Sequence, residues 1–315
     1  MSKRVLISGG YGYLGGRIAV ELAHNHEWIV RLGSRKTQAA PDWLPQAETA
    51  ALNVLEPSCL PAAMADVQAV VHLAAMNEND CIADPCRAVL VNTLGTLNVL
   101  RAAIDAGVKH FIYFSTAHVY GAPLVGDITE QTLPRPLHPY AITHHASEDF
   151  VLAAHDQKKI TGVVVRMSNG FGAPTHPYVD RWTLLVNDLC RQAVQSYKLT
   201  LRSSGLQQRN FITLTDVARA VRHLLDLNQR DCGNGLFNLG GSNSLSVWDM
   251  VQKITQRCQL TLGYLPSIER PEPQPGEQVD FLNYHSDKLQ NTGFMLQGSF
   301  DEEIDQTLLV CAQAW

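Results

Sequence analysis

The chain has 315 residues, of which 45% are hydrophobic and 17% are charged, and its formal net charge at pH 7 is -5. This composition is typical of a protein with a packed core and excludes a disordered chain. The small negative charge gives no reason to expect a nucleic-acid or anionic-membrane partner. The length allows one large domain or two smaller ones.

The sequence indicates neither a targeting signal nor a disulfide framework. The few apolar residues before Ser8 are too short a run for a signal peptide, and no apolar segment is long enough to span a bilayer. We therefore expect a cytoplasmic protein without a membrane partner. The seven cysteines are scattered and form no Cys-x-x-Cys pair, so reduced thiols and no metal site are expected.

The first half of the chain alternates short apolar segments with helical ones. Strands are predicted at residues 4–8, 28–32, 69–73, 111–115 and 162–166, and helices at 13–25, 85–106 and 140–155. Asp84 and Pro85 suit the start of the second of these helices, and Gly107 suits its end. Such alternation predicts a parallel sheet with helices on both faces and a ligand at the carboxyl ends of the strands.

A glycine-rich turn lies between the first predicted strand and the first predicted helix. Gly9, Gly12 and Gly15 are its glycines. Small residues allow a pyrophosphate to approach closely, and the free N–H groups at the helix start stabilise its charge. Ordinary turns also use glycine, but the strand before and the helix after these glycines favour a dinucleotide site.

The pattern changes after about residue 171, where proline and glycine become more frequent and helical segments recur at 182–196, 217–227 and 247–258. We predict an α/β protein with a doubly wound parallel sheet and a smaller C-terminal substrate-binding lobe. Residues 1–170 form the dinucleotide-binding domain, with a returning segment near 211–240. Residues 171–210 and 241–315 form the substrate-binding lobe.

Several short motifs occur in a characteristic order. After the glycine turn come Val-His-Leu-Ala-Ala at 71–75, Tyr-Phe-Ser-Thr-Ala-His-Val-Tyr-Gly at 113–121, and Pro-Tyr at 139–140 with a basic residue four positions later. Further matches lie at 92–100, 166–172 and 209–218. Over nearly its whole length the chain resembles the extended short-chain dehydrogenase/reductase family, in its NAD-dependent epimerase/dehydratase branch. The resemblance implies a Rossmann fold.

The resemblance also implies a set of catalytic residues. Tyr140 is expected to exchange a proton with the substrate oxygen, and Thr116 to hydrogen-bond the same oxygen. His144 stands where the family has a lysine that holds the ribose and lowers the pKa of the tyrosine. Three interpretations stay open: His144 replaces the lysine, another cation or the oxidised nicotinamide assists, or the site mainly binds cofactor.

A second departure follows Thr116. Dehydratases of this branch carry an Asp-Glu pair there, whereas this chain has Ala117 and His118. We therefore rank dehydration below ketone reduction or epimerisation.

Cofactor choice is predicted from the end of the second strand. Ser34 and Arg35 replace the acidic residue that would accept hydrogen bonds from both ribose hydroxyls, and Arg35 can pair with a 2′-phosphate. NADP is therefore favoured, with NAD as the alternative. Asn53 matches the position that contacts the adenine. The remaining residues assigned to cofactor binding are Gly9, Gly12, Tyr13, Leu14, Gly15, Leu73, Ala74, Tyr140 and His144.

Asn169 and Arg209 match positions that contact the nucleotide diphosphate of sugar-nucleotide substrates. The predicted function is therefore an NAD(P)-dependent 4-epimerase or 4-ketoreductase of a nucleotide-linked sugar. One alternative is an NADP-dependent reductase of a non-nucleotide carbonyl compound. Another is a cofactor-binding regulatory protein with a degraded active site. The resemblance further implies a homodimer that forms through the helices at 85–106 and 140–155.

Overall fold

The computed structural model describes residues 3–24, 27–277 and 279–315. Its strands are β1 (Lys3–Ser8), β2 (Trp28–Ser34), β3 (Glu48–Ala51), β4 (Ala69–His72), β5 (His110–Thr116), β6 (Gly126–Ile128), β7 (Thr161–Met167), β8 (Asn169–Phe171), β9 (Lys198–Thr200), β10 (Gln208–Thr213), β11 (Leu236–Leu239), β12 (Ser244–Ser246), β13 (Ser267–Glu269) and β14 (Leu282–Tyr284). Its α-helices are α1 (Tyr13–His24), α2 (Leu60–Ala63), α3 (Glu78–Ala83), α4 (Pro85–Ala88), α5 (Gly95–Asp105), α6 (Pro139–Asp156), α7 (Leu185–Ser196), α8 (Leu214–Asp226), α9 (Val247–Leu262), α10 (Asp287–Gln290) and α11 (Phe300–Ala314).

A seven-stranded parallel sheet in the order β11-β7-β5-β4-β1-β2-β3 forms the centre of the fold. All residues of β4 are buried, as expected of a parallel strand covered by helices on both faces. Two apolar clusters fill the two sides of the sheet. The predicted α/β class with a doubly wound Rossmann sheet is confirmed, and all five predicted strands belong to this sheet. The sequence analysis missed its two edge strands, β3 and β11, which have four residues each.

A third apolar cluster lies among α7, α9 and α11. Beside it, β12, β10 and β8 form a separate three-stranded sheet. Between these elements the chain returns to the main sheet, because α8 packs against α1 and β11 pairs with β7. This arrangement supports a smaller second lobe, whose predicted boundaries stay a prediction.

The predicted helix at 85–106 is interrupted in the structure. A π-helical turn, Val89–Leu94, separates α4 from α5. The Asp84 carboxylate accepts a hydrogen bond from the N–H of Arg87 and so caps α4, as predicted. Gly107 follows α5 with a φ of +74°, a left-handed conformation that glycine adopts without strain. The predicted helix at 13–25 is observed to His24, and Asn25 lies outside the described residues.

Helix α11, which the sequence analysis did not predict, connects the two parts of the chain. The Glu303 carboxylate pairs with Arg17 of α1 at 2.6 Å. It also accepts hydrogen bonds from the N–H and hydroxyl of Thr215 at the start of α8. Because Glu303 is buried, these contacts satisfy a carboxylate that would otherwise be costly to bury.

All seven cysteines are free thiols. Within residues 3–24, 27–277 and 279–315, no helix has the length and apolar character that crossing a membrane requires. The expected cytoplasmic location stays a prediction.

Candidate functional site

The glycine turn has the close packing that a phosphate site requires. Gly9 has a φ of +71°, and its carbonyl accepts a hydrogen bond from the N–H of Gly12 at 2.9 Å. A Cβ on Gly15 would lie 2.3 Å from the Gly9 carbonyl oxygen, so only glycine fits there. A Cβ on Gly12 would meet no atom within 4 Å except that same oxygen. The surface at Gly12 is therefore open, and the turn fits a dinucleotide pyrophosphate.

Tyr13 and Leu14 follow the turn, and the side chain of Tyr13 is turned away from this open surface. The Tyr13 hydroxyl donates a hydrogen bond to the Gly172 carbonyl at 2.9 Å, and the ring is buried. Leu14 packs against the apolar cluster on one side of the sheet. The Tyr13 side chain faces the protein interior, so any contact it makes with a cofactor in the predicted site would come from its backbone. Leu14 is only partly buried.

Buried polar side chains fix the end of β4 beside the turn. His72 Nδ1 lies 2.7 Å from the Ser8 hydroxyl, and His72 Nε2 lies 3.1 Å from the Thr96 hydroxyl. Ser8 Oγ accepts hydrogen bonds from the N–H groups of Leu73 and Ala74. Burial lowers the pKa of His72 to about 3, so its ring is neutral at pH 7. These bonds hold Leu73 and Ala74 next to the glycine turn.

The residues predicted to select the cofactor lie beyond β2. The Ser34 hydroxyl donates a hydrogen bond to the Lys36 carbonyl at 2.5 Å and shapes the loop. Arg35 is exposed. Asn53 follows β3, and its side-chain oxygen accepts a hydrogen bond from the N–H of Leu55 at 3.2 Å. Among the described residues the amide nitrogen of Asn53 donates to no acceptor, so it can donate to a ligand.

Tyr140 lies in the first turn of α6, as predicted. His138 caps this helix by accepting a hydrogen bond from the N–H of Ala141, and its ring stacks on Tyr140 at 6.1 Å between centroids. Burial raises the pKa of Tyr140 to about 12, and the positive charge of Arg181 opposes that rise. The sequence analysis did not identify Arg181, which lies in a loop far from Tyr140 in the chain.

His144 lies one turn after Tyr140, and the two rings meet edge to face at 4.4 Å between centroids. Nδ1 of His144 lies 2.7 Å from the Tyr113 hydroxyl of β5, whereas Nε2 is buried without a hydrogen-bond partner in the described protein. Burial lowers the pKa of His144 to about 4. The ring is therefore neutral at pH 7 and cannot supply the positive charge of a lysine.

Thr116 ends β5, where its oxygen accepts a hydrogen bond from the N–H of His118. Within the part of the chain that the structure describes, the Thr116 hydroxyl donates to no acceptor, so its proton is available to a substrate oxygen. His118 meets His138 edge to face at 5.5 Å between ring centroids. The structure therefore groups Thr116, His118, His138 and Tyr140 around one region of the site.

Arg209 reaches this region from β10. Its positive charge lowers the pKa of His118, although burial is the larger cause of that shift. The Arg209 guanidinium has no carboxylate within 4 Å among the described residues, and Glu78 acts on it only from farther away, so it can pair with an anion. The Asn169 side chain donates a hydrogen bond to the carbonyl of Asn210 at 2.9 Å and so lies beside Arg209 on the neighbouring strand.

A buried ion pair connects the helix that carries Tyr140 to the central sheet, and it was not predicted from the sequence. Arg166 of β7 and Glu148 of α6 lie 2.6 Å apart and are almost fully buried. Glu148 also accepts a hydrogen bond from the Ser115 hydroxyl, next to Thr116. Because Tyr140, His144 and Glu148 occur at a spacing of four residues, they share one face of α6.

Comparison with known proteins then decides the family. The model of the NAD dependent epimerase/dehydratase family matches residues 5–240. The chain belongs to this family. A dTDP-D-glucose 4,6-dehydratase of Mus musculus is 26% identical over 328 residues, covering 98% of the chain and 88% of that relative. A UDP-glucose 4-epimerase of Haemophilus influenzae is 24% identical over 288 residues, covering 82% of the chain and 84% of that relative.

A solved structure of RMD from Pseudomonas aeruginosa complexed with NADPH superposes with a TM-score of 0.79 at 20% identity and covers 100% of both chains. As a member of the NAD dependent epimerase/dehydratase family, the chain is an enzyme of the extended short-chain dehydrogenase/reductase type. The predicted family and enzyme class are confirmed, and dependence on NAD or NADP is supported. The roles assigned to individual residues stay predictions.

Proposed function

We propose that this enzyme transfers hydride between a dinucleotide and a nucleotide-linked sugar, as a 4-epimerase or a 4-ketoreductase. The observation that carries this proposal is the placement of Arg209 near His118, with no carboxylate within 4 Å of its guanidinium among the described residues. Glu78 acts on this partly buried cation only from beyond ion-pair distance, so the guanidinium is suited to a diphosphate. The relatives that are dTDP-glucose dehydratases and UDP-glucose epimerases support the same substrate class.

Each residue of the site has a separate role in the proposed reaction. When bound, the dinucleotide supplies or accepts the hydride. Tyr140 gives a proton to the substrate oxygen or takes one from it, and Thr116 donates a hydrogen bond to that oxygen. His144 hydrogen-bonds the ribose as a neutral ring. Arg181 favours the phenolate form of Tyr140 by its charge.

We expect Arg209→Ala to weaken binding of nucleotide-diphosphate ligands by about ten- to a hundredfold, because a charge-assisted contact is lost. Dinucleotide affinity should stay nearly unchanged. Calorimetric titration with UDP, GDP and dTDP compounds measures both effects. Arg202→Ala is the control, because Arg202 is exposed in the same part of the chain. If no nucleotide diphosphate binds the unaltered protein, the nucleotide-sugar proposal is wrong and the non-nucleotide carbonyl reductase becomes the better candidate.

Cofactor preference is a separate proposal, in favour of NADP over NAD. Arg35 is exposed beside the end of β2, with no acidic side chain within 4 Å among the described residues. We expect Arg35→Ala to weaken NADPH binding by about 1–3 kcal/mol, because a pairing with the 2′-phosphate is lost. NADH, which lacks this phosphate, serves as the control in the same fluorescence titration. Tighter binding of NADH than NADPH by the unaltered protein would contradict the proposal.

Whether the protein keeps its dinucleotide bound distinguishes a 4-epimerase from a 4-ketoreductase. A 4-epimerase uses the same dinucleotide in both half-reactions and keeps it bound, whereas a 4-ketoreductase exchanges it after each turnover. Measuring the dinucleotide that co-purifies with the protein distinguishes these two.

We also propose that a second copy of the chain covers an apolar surface on the helices at the side of the site. Helix α6 packs against the π-helical turn. Together they expose Val89, Leu90 and Leu94 of the turn and Ile142 and Phe150 of α6, each at 40–52% of its full area. Exposed apolar side chains gathered on adjoining helical segments are typical of an interface. Sedimentation of the protein as a monomer at micromolar concentration would exclude this homodimer.

A further inference from the structure

His144 is held from the side of the sheet by a residue to which no role has been assigned. The Tyr113 hydroxyl of β5 lies 2.7 Å from His144 Nδ1, and both side chains are at most 3% exposed. The Tyr113 ring also stacks on His72 at 5.9 Å between centroids. Since Ser8 and Thr96 fix His72 on both of its nitrogens, Tyr113 packs against a rigid support.

The position of the proton in this hydrogen bond follows from the chemistry of its two partners. A phenol is a better acid than a neutral imidazole, and an imidazole nitrogen is a better base than a phenol oxygen. The hydroxyls of Ser147 and Thr96 also lie near the Tyr113 hydroxyl, but a hydroxyl oxygen is a weaker base than an imidazole nitrogen. We therefore infer that Tyr113 donates its O–H to Nδ1 of His144. A neutral imidazole carries one proton, so the proton of His144 lies on Nε2. That nitrogen is buried, and among the described residues no group meets hydrogen-bond geometry with it, although the backbone of Phe114 lies close enough to raise the pKa of the ring.

Both partners stay neutral near pH 7. Burial lowers the pKa of His144 to about 4, partly opposed by the backbone of Phe114, and burial raises the pKa of Tyr113. The titratable side chains that face the His144 ring are Tyr113 on β5, Tyr140 on α6 and His72 on β4. All are neutral at this pH. The nearest charged side chain on the same face of α6 is that of Glu148, which is paired with Arg166.

We propose that Tyr113 is a positioning residue, which fixes His144 in the Nε2–H tautomer and aims this single donor at the ribose of the bound dinucleotide. His144 thereby replaces the hydrogen bond of the family's lysine without replacing its charge. Histidine at position 144 needs this support because a free neutral imidazole exchanges its proton between two nitrogens. The inference rests on the proposed role of His144 in dinucleotide binding.

The tautomer is measurable in the ligand-free protein by two-bond ¹H–¹⁵N correlation of the histidine rings. The spectrum contains 12 histidines, and His144→Gln identifies the signal of interest. We expect the pattern of a neutral ring protonated at Nε2, constant between about pH 6 and pH 8. A ring protonated at Nδ1, or one that titrates within this range, would overturn the inference.

Dinucleotide affinity tests whether Tyr113 acts through His144. Tyr113→Phe removes one hydroxyl and keeps the ring, and it should raise the Kd by about three- to thirtyfold. In a His144→Lys background the same change should alter the Kd less than about twofold, because an ammonium donates without a tautomer to fix. Equal effects in both backgrounds would mean that Tyr113 only stabilises the fold, and would overturn the proposal.

Tyr284→Phe is the matched control. The Tyr284 hydroxyl is equally buried and donates to the Arg166 carbonyl at 2.8 Å, yet it does not touch His144. This variant should leave the dinucleotide Kd and the His144 spectrum unchanged. Neither measurement uses a sugar substrate, so the protein can fail to bind nucleotide sugars while Tyr113 still controls His144. That result would reject the proposed function and leave this inference standing.

Discussion

Replacing Tyr140 with phenylalanine should lower turnover of an accepted substrate by about a hundred- to ten-thousandfold, the usual contribution of a positioned acid–base group. The substitution keeps the ring that stacks on His138 and meets His144. Dinucleotide affinity should therefore stay within about twofold of its original value. Steady-state turnover and fluorescence titration of the same preparations measure the two quantities.

The direction of the reaction determines how this activity depends on pH. Burial raises the pKa of Tyr140 to about 12, so the free enzyme holds the protonated phenol throughout the neutral range. Reduction needs the phenol as a proton donor and should not change with pH on account of this group. Oxidation needs the phenolate, whose fraction rises about tenfold for each pH unit below the pKa. Oxidation should therefore become faster as the pH rises.

Tyr197→Phe is the control for this experiment, because Tyr197 is an exposed tyrosine at the end of α7. It should turn over at the unaltered rate. If Tyr140→Phe is as active as the unaltered protein, the assigned mechanism is wrong, whatever the variants of His144 show.

The sequence predicts those parts of the site that are encoded by neighbouring residues. The strand, glycine turn and helix over residues 4–24 form one continuous segment. The apolar run Val5-Leu6-Ile7 is enough to indicate the strand. Tyr140 and His144 are related by helical spacing. Each of these relations requires only a few consecutive residues.

Side-chain contacts between segments that are far apart in the chain could not be predicted from the sequence, for a physical reason. The pairing of Tyr113 with His144 joins a strand to a helix, and the effect of Arg181 on Tyr140 crosses from a loop to α6. Helix α11 has no motif of its own, and its contact with Arg17 is visible only in the folded chain. The sequence shows that these residues can ionise or form hydrogen bonds. It does not show which residue each of them contacts once it is buried in the folded chain.

Loss of the buried pair between Glu148 and Arg166 should have the largest effect on stability. Glu148→Gln leaves the guanidinium of Arg166 without its anion in a place that is almost closed to water. Breaking such a pair from one side costs about 3–5 kcal/mol. Urea unfolding of the intact chain measures the change in the free energy of unfolding. Asp188→Asn is the control, since its ion pair with Arg191 is about one-third exposed and such pairs contribute about 0–1 kcal/mol.

The double variant Glu148→Gln with Arg166→Met separates the pair from its surroundings. Removing both charges leaves no uncompensated ion, so the double variant should lose less stability than the sum of the two single variants. The decrease in the free energy of unfolding that remains in the double variant measures the contacts that Glu148 and Arg166 make with other residues. Glu148 accepts the Ser115 hydroxyl, and the Arg166 guanidinium lies 4.6 Å from the centre of the Tyr120 ring. If Glu148→Gln costs less than about 1 kcal/mol, the contacts of Glu148 with Arg166 and Ser115 do not hold α6 against β7 and β5, and another contact must fix Tyr140 and Thr116 relative to each other.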